Sequence, residues 1–254
     1  MGNNPQSRMS LLEHFAELRS RLFKSALVII VFSSLGWIYY DKILTKLAKP
    51  VCDLKGVSGL ESCGSLYING VLGPIDLKFK ISIIVGIIIS SPLWLYQIWA
   101  FISPALHKKE RRRSIVFIVA AVPFFALGSY IGYLILPLAV KILLGFTPSS
   151  IVNLIRFDDY LSFVSQLILV FGFAFELPVF LLALNLVGIL SGAAILKPWR
   201  FMVFGIMLFS AIFTPTGDPF TMLLLAFPLI ILYFISGGIS IFNDRRKAKK
   251  DVRF

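Results

Sequence analysis

The sequence predicts an all-α integral membrane protein, a curved and concave bundle of six transmembrane helices, on three observations. Hydrophobic residues make up 57% of the 254 positions and charged residues only 15%, with a mean hydropathy of +0.86. A soluble chain has about 45–50% apolar and about 25% charged residues, so this much apolar surface belongs in a bilayer. The apolar residues gather into runs near the roughly 20 residues that cross a hydrocarbon core. Lys and Arg concentrate in alternate connections between those runs.

The whole chain, 1–254, reads as one integral membrane domain. Segment 1–21 is an amphipathic cytoplasmic helix. Ser10-Leu-Leu-Glu13 is a capping box that starts it at Leu11. At 100° per residue, Leu11, Phe15, Leu18 and Leu22 form an apolar stripe, flanked by Glu13, Glu17 and Arg21 on one side and Arg19 on the other. The ordinary role for Glu17 is an i,i+4 pair with Arg21, worth about 0.2–0.5 kcal/mol. The first span, 22–40, ends in Tyr39-Tyr40-Asp41 without a small-residue cleavage site, so it reads as a signal anchor.

The remaining spans fall near 79–102, 114–136, 160–188, 199–213 and 220–241, and a basic tail occupies 242–254. Thr214-Pro215-Thr216-Gly217-Asp218-Pro219 is turn chemistry between two short spans. The fifth span reaches only about 23 Å against a hydrocarbon core of about 30 Å. Pro92, Pro123, Pro178 and Pro228 lie within spans and free backbone carbonyls, which predicts the curvature.

Of the 25 Lys and Arg, seventeen fall on the side of the termini and eight opposite. The positive-inside rule puts both termini in the cytoplasm. The net charge of +12 is therefore a topology signal against anionic lipid and needs no nucleic acid to explain it. HExxH, GxSxG and P-loop motifs are absent, and His14 and His107 are the only histidines. No catalytic set, metal site or cofactor is expected. Cys52 and Cys63 both fall on the outer side. An oxidising compartment would join them in a disulfide, and a reducing one would leave two thiols.

Three acids stand out. Glu17 sits on the amphipathic helix, and Glu110 is the only acid in Lys108-Lys109-Glu110-Arg111-Arg112-Arg113. The ordinary role for Glu110 is to temper a basic patch at a helix N-terminus. Glu176 lies deep in the fourth span, where an acid costs about 2.5–3.5 kcal/mol and marks a functional candidate. Gln166, or a neighbouring protein's polar group, is the expected hydrogen-bond partner of Glu176.

Glu13-His14-Phe-Ala-Glu17-Leu-Arg19-Ser-Arg21-Leu22 resembles the N-terminal motif of the TatC family, the multispanning subunit of the twin-arginine protein translocase. Ser91-Pro92-Leu-Trp-Leu-Tyr96-Gln97-Ile-Trp99 through Leu106, then Lys108-Lys109-Glu110-Arg111-Arg112, resembles its second-to-third connection. Phe171-Gly172-Phe-Ala-Phe175-Glu176-Leu-Pro178 is similar to its fourth helix, and Thr214-Pro215 with Asp218 to its last turn. The glycine-rich first outer loop with its two cysteines departs from the pattern.

The resemblance implies a receptor for twin-arginine signal peptides in the bacterial inner (plasma) membrane. It implies recruitment of TatA- and TatB-type single-span partners, oligomeric assembly, and export of folded cargo on the proton-motive force. It places Glu17 and Glu110 at the arginine pair, with Leu11, Arg19, Lys108 and Arg112 around them. It also places Glu176 toward the partners. The alternative is a small-solute transporter carrying protons on Glu176.

Overall fold

The computed structural model describes residues 11–52, 66–102, 111–146, 154–214 and 219–251. In chain order these form α1 (Leu11–Ile38), α2 (Tyr40–Cys52), β1 (Leu66–Tyr67), α3 (Gly73–Ile89), α4 (Ser91–Ile102), α5 (Arg111–Leu144), β2 (Ile155–Arg156), α6 (Phe157–Val187), α7 (Gly192–Leu196), α8 (Trp199–Phe213) and α9 (Pro219–Asp251). α1, α5, α6 and α9 are each long and apolar enough to cross a membrane. α3 and α4 together make one further candidate span, bent by 61° at Ser90. α8 is apolar but only 15 residues long.

The bend has a local cause. Pro92 has no N–H to continue the ladder across the break. The carbonyl freed by Pro92 is that of Ile88, and next to it the Trp94 indole donates to the Ile87 carbonyl at 2.8 Å, a backbone acceptor that lipid cannot satisfy. Pro123 and Pro137 in α5, Pro178 in α6 and Pro228 in α9 all lie inside continuous helices. α5 accordingly runs past Pro137 to Leu144, beyond the expected end of the third span at 136. α6 closes on Gly188, whose φ of 89° is the left-handed cap that glycine adopts most readily.

α6 is the most enclosed of the long helices and α1 the least. Leu161, Val164, Leu167, Phe171 and Phe175 of α6 are buried in the main core. α5 packs along α6 and α9 crosses it, while α1 lies against α3 and α4. Small residues set these approaches. A Cβ at Gly128 of α5 would stand 2.5 Å from the Phe171 carbonyl oxygen, and one at Gly36 of α1 would stand 2.6 Å from Ser82 Cα. Apolar side chains gain little by leaving lipid for another helix, so backbone-close contact takes over the role of hydrophobic burial.

The connection 41–78, read from sequence as the first outer loop, carries α2, β1 and the start of α3 among its described residues. In α2, Ile43, Leu44, Leu47 and Ala48 pack on the core while Lys42, Lys46 and Lys49 stay exposed. β1 pairs with β2 in parallel, Leu66 opposite Ile155 and Tyr67 opposite Arg156. The Tyr160 hydroxyl donates to the Leu47 carbonyl at 2.7 Å, and Lys80 bridges Asp76 and Asp158. α2, α3 and α6 are thereby joined at one end of the bundle.

Candidate functional site

The first half of α1 is too polar for lipid and docks on α4. The His14 ring stacks on Phe101, with centroids 4.4 Å apart and planes at 19°. One turn along, Glu17 Oε1 accepts from Arg21 Nε at 2.9 Å and from Arg21 Nη2 at 2.6 Å. Arg21 Nη1 in turn donates to Gln97 Oε1 of α4 at 3.3 Å. The Glu17 and Arg21 side chains are 20% and 24% exposed. The i,i+4 pair expected from spacing is therefore present, but it engages only one carboxylate oxygen. Glu17 Oε2 is buried with no hydrogen-bond partner among the described residues.

Of the other expected members of this surface, Leu11, Arg19 and Arg112 lie on described helices. α4, the helix on which α1 is docked, is described as far as Ile102, and α5 from Arg111. Lys108 and Glu110 themselves lie outside the described residues. Leu11 and Arg112 are placed as backbone positions, the first residue of α1 and the second of α5. Arg19 is exposed on α1. Spacing alone did not single out Gln97 or Phe101 as the residues that seat α1. Both lie on one stretch of α4, and their partners are decided by how two distant helices cross.

Glu176 occupies the second half of α6, where both of its carboxyl oxygens are buried and neither has a hydrogen-bond partner among the described residues. The expected bond to Gln166 is not made. Gln166 Nε2 donates to the Phe213 carbonyl at the end of α8, at 3.0 Å. Ten residues along one helix separate the two side chains by about 15 Å, beyond their combined reach. Gln166 instead satisfies a terminal carbonyl of the short helix.

Asn185, 1% exposed, anchors a second polar group that sequence reasoning missed. Its Nδ2 donates to Asp244 Oδ1 at 2.8 Å, and Asp244 Oδ2 accepts from the Gly192 N–H at 2.6 Å. Lys247 Nζ donates to the Asn185 carbonyl at 3.2 Å. This group clasps the ends of α6, α7 and α9 and explains why a helix carrying polar and basic residues stays ordered past the apolar run. Cys52, the last residue of α2, is held in a disulfide, and Cys63 lies outside the described residues. No group of three or more metal-ligating side chains occurs among the described residues.

The family model for the Sec-independent protein translocase protein (TatC) matches residues 13–228. The TatC protein of Frankia casuarinae is 39% identical over 251 residues, covering 96% of this chain and 69% of its own length. That of Aquifex aeolicus is 34% identical over 242 residues, covering 94% of this chain and 98% of its own. A crystal structure of the twin-arginine translocase receptor TatC in DDM superposes with a TM-score of 0.75 at 33% identity, covering 90% of this chain and 99% of the other. With the same apolar helices, the same order of motifs and a match over most of its length, this multispanning membrane chain belongs to the TatC family.

Proposed function

We propose that this chain is the signal-peptide receptor and core subunit of a twin-arginine translocase in the bacterial plasma membrane, with both termini in the cytoplasm. It exports folded proteins on the proton-motive force. The observation that carries the reading is the Glu17 carboxylate, held through Arg21 against α4, with one oxygen paired and the other without a partner among the described residues. A twin-arginine peptide approaching this end meets Lys108, Arg111, Arg112 and Arg113. The rare acids there must supply the attraction, and Arg–carboxylate pairing supplies it with directional, bidentate geometry. The family resemblance assigns Leu11, Arg19, Lys108 and Arg112 to the same surface. Glu176, whose carboxyl has no hydrogen-bond partner among the described residues, faces the single-span TatA- and TatB-type subunits in this reading.

The small-solute transporter reading gains no support. It needs a file of polar groups through the midplane, yet the hydroxyls of Ser33, Ser82, Ser236 and Ser240 bond to backbone carbonyls of their own helices.

Photo-crosslinking from a twin-arginine signal peptide bearing a reactive residue beside the arginine pair tests the proposal. Crosslinks concentrated in residues 11–21 and 103–113 are expected. Their absence from both segments, with wild-type membranes competent in transport, would overturn it.

A further inference from the structure

The carboxylate proposed to read a ligand's guanidinium already holds one from its own helix. Arg21 directs Nε and Nη2 onto a single oxygen, Glu17 Oε1, while Oε2 stays buried and unpartnered among the described residues. An ion pair serving stability alone is best formed as a fork, with two parallel bonds to two oxygens. Leaving a buried acceptor without a partner is costly. Among the described residues the site is therefore half used, with one carboxylate oxygen held by Arg21 and the other without a partner.

The occupant also has somewhere to go. Arg21 Nη1 already reaches Gln97 Oε1 at 3.3 Å, the long end of the hydrogen-bond range. A side chain leaving Glu17 keeps this acceptor on α4 and can shorten the contact without quitting the site. Glu17, Arg21 and Gln97 together form one acid, one internal guanidinium and one alternative acceptor.

We infer that Arg21 is an internal competitor for the Glu17 carboxylate, a guanidinium that an incoming peptide arginine displaces toward Gln97. The inference rests on the reading of Glu17 as a contact for the peptide, and it adds how that contact is regulated. If the internal pair is favoured over the open site by a factor K, the apparent dissociation constant of every cationic ligand at Glu17 rises by 1 + K. The competitor thus raises the threshold for all such ligands alike. Sequences that bind weakly fall below it, and only peptides with further contacts around the arginine pair are held.

The test is binding of a twin-arginine peptide and its twin-lysine counterpart to the purified full-length protein. Wild type, Arg21→Gln and Arg21→Lys are compared, each with Glu17 and with Glu17→Gln. Arg21→Gln is expected to bind the twin-arginine peptide about three- to tenfold more tightly, the range for a part-exposed, charge-assisted pair. Arg21→Lys keeps the charge but replaces the fork by a single ammonium, and a smaller gain is expected. In the Glu17→Gln background, changing Arg21 should alter affinity little.

A gain in affinity is not a result that misfolding or a lost helix contact produces. Wild-type affinity in Arg21→Lys with a gain confined to Arg21→Gln would mean charge repulsion alone, and would overturn the inference. Weaker binding in either variant would mean that Arg21 supports the site, and would also overturn it. A wild type that does not prefer the twin-arginine peptide would instead refute the reading of the site, and the inference would fall with it.

Discussion

Replacing Glu17 by Ala removes the one described acid at the docked end of α1 whose carboxylate is both oriented and half free. A guanidinium about 4 Å from it has about 4 kcal/mol of Coulomb energy at an effective dielectric of 20, and about 1 kcal/mol in bulk water. The Glu17 side chain is 20% exposed, so the local value lies nearer the first figure. Desolvation and the release of Arg21 reduce it. A hydrogen bond to a charged group contributes a net of about 1.5–3 kcal/mol, which corresponds to about 12- to 150-fold in affinity. Glu17→Ala should therefore weaken a twin-arginine peptide by about one to two decades. A twin-lysine peptide, which makes no bidentate contact, should lose only a few-fold.

Glu17→Gln keeps an acceptor oxygen and should fall between wild type and alanine, whereas Glu17→Lys should be worst. Raising ionic strength shortens the Debye length from about 10 Å at 0.1 M to about 3 Å at 1 M, so the gap between wild type and variant should narrow. Titration of both peptides against the purified proteins across a salt series measures all of this. Equal losses for both peptides at every salt would refute the reasoning, because the carboxylate would then be holding the shape of α1 rather than reading arginine.

Further outcomes follow from the same structure. Glu110→Ala should show the same preference for weakening the twin-arginine peptide, measured in the same titration, and an effect confined to protein yield would count against a role at the surface. Glu176→Ala should impair partner assembly or cargo transport while leaving signal-peptide binding intact. Glu176→Gln should be milder, because an amide still hydrogen-bonds at that depth, and alanine transport equal to wild type would make the residue structural. Intact mass spectrometry after alkylation without reductant should find Cys52 and Cys63 unmodified and joined, and two alkylated thiols would sink that pairing. A single cysteine at position 217 should be labelled by impermeant reagent only from the outer side, and labelling from the cytoplasmic side would overturn the assigned orientation.

Much of this architecture is legible along the chain. A spanning segment must satisfy its own backbone hydrogen bonds and present apolar side chains to lipid, so the spans appear as apolar runs. The orientation expected for them comes from the connections, because Lys and Arg resist translocation. The capping box at Ser10 predicts a helix from Leu11, and the described residues from Leu11 onward are helical, the Ser10 cap itself lying outside them. The i,i+4 spacing of Glu17 and Arg21 likewise foretells their ion pair. These are local properties, set by residues within one or two turns of each other.

Contacts between distant segments are not written this way. α2 escaped notice because its 13 residues are too short to span and its apolar face packs on protein, not lipid. Pro92 foretells a break near Ser90, but not that the Trp94 indole meets the Ile87 carbonyl there. Gln97 and Arg21 are 76 residues apart, and their meeting depends on α1 crossing α4. Glu176 and Gln166 share a helix yet never meet, since Gln166 is drawn to the end of α8. Hydrophobic partition acts on each segment alone and is readable from composition. Which polar atoms find partners, and which carboxylate oxygens at Glu17 and Glu176 find none among the described residues, depends on side-chain positions to within an ångström, and only the packing of the helices sets those.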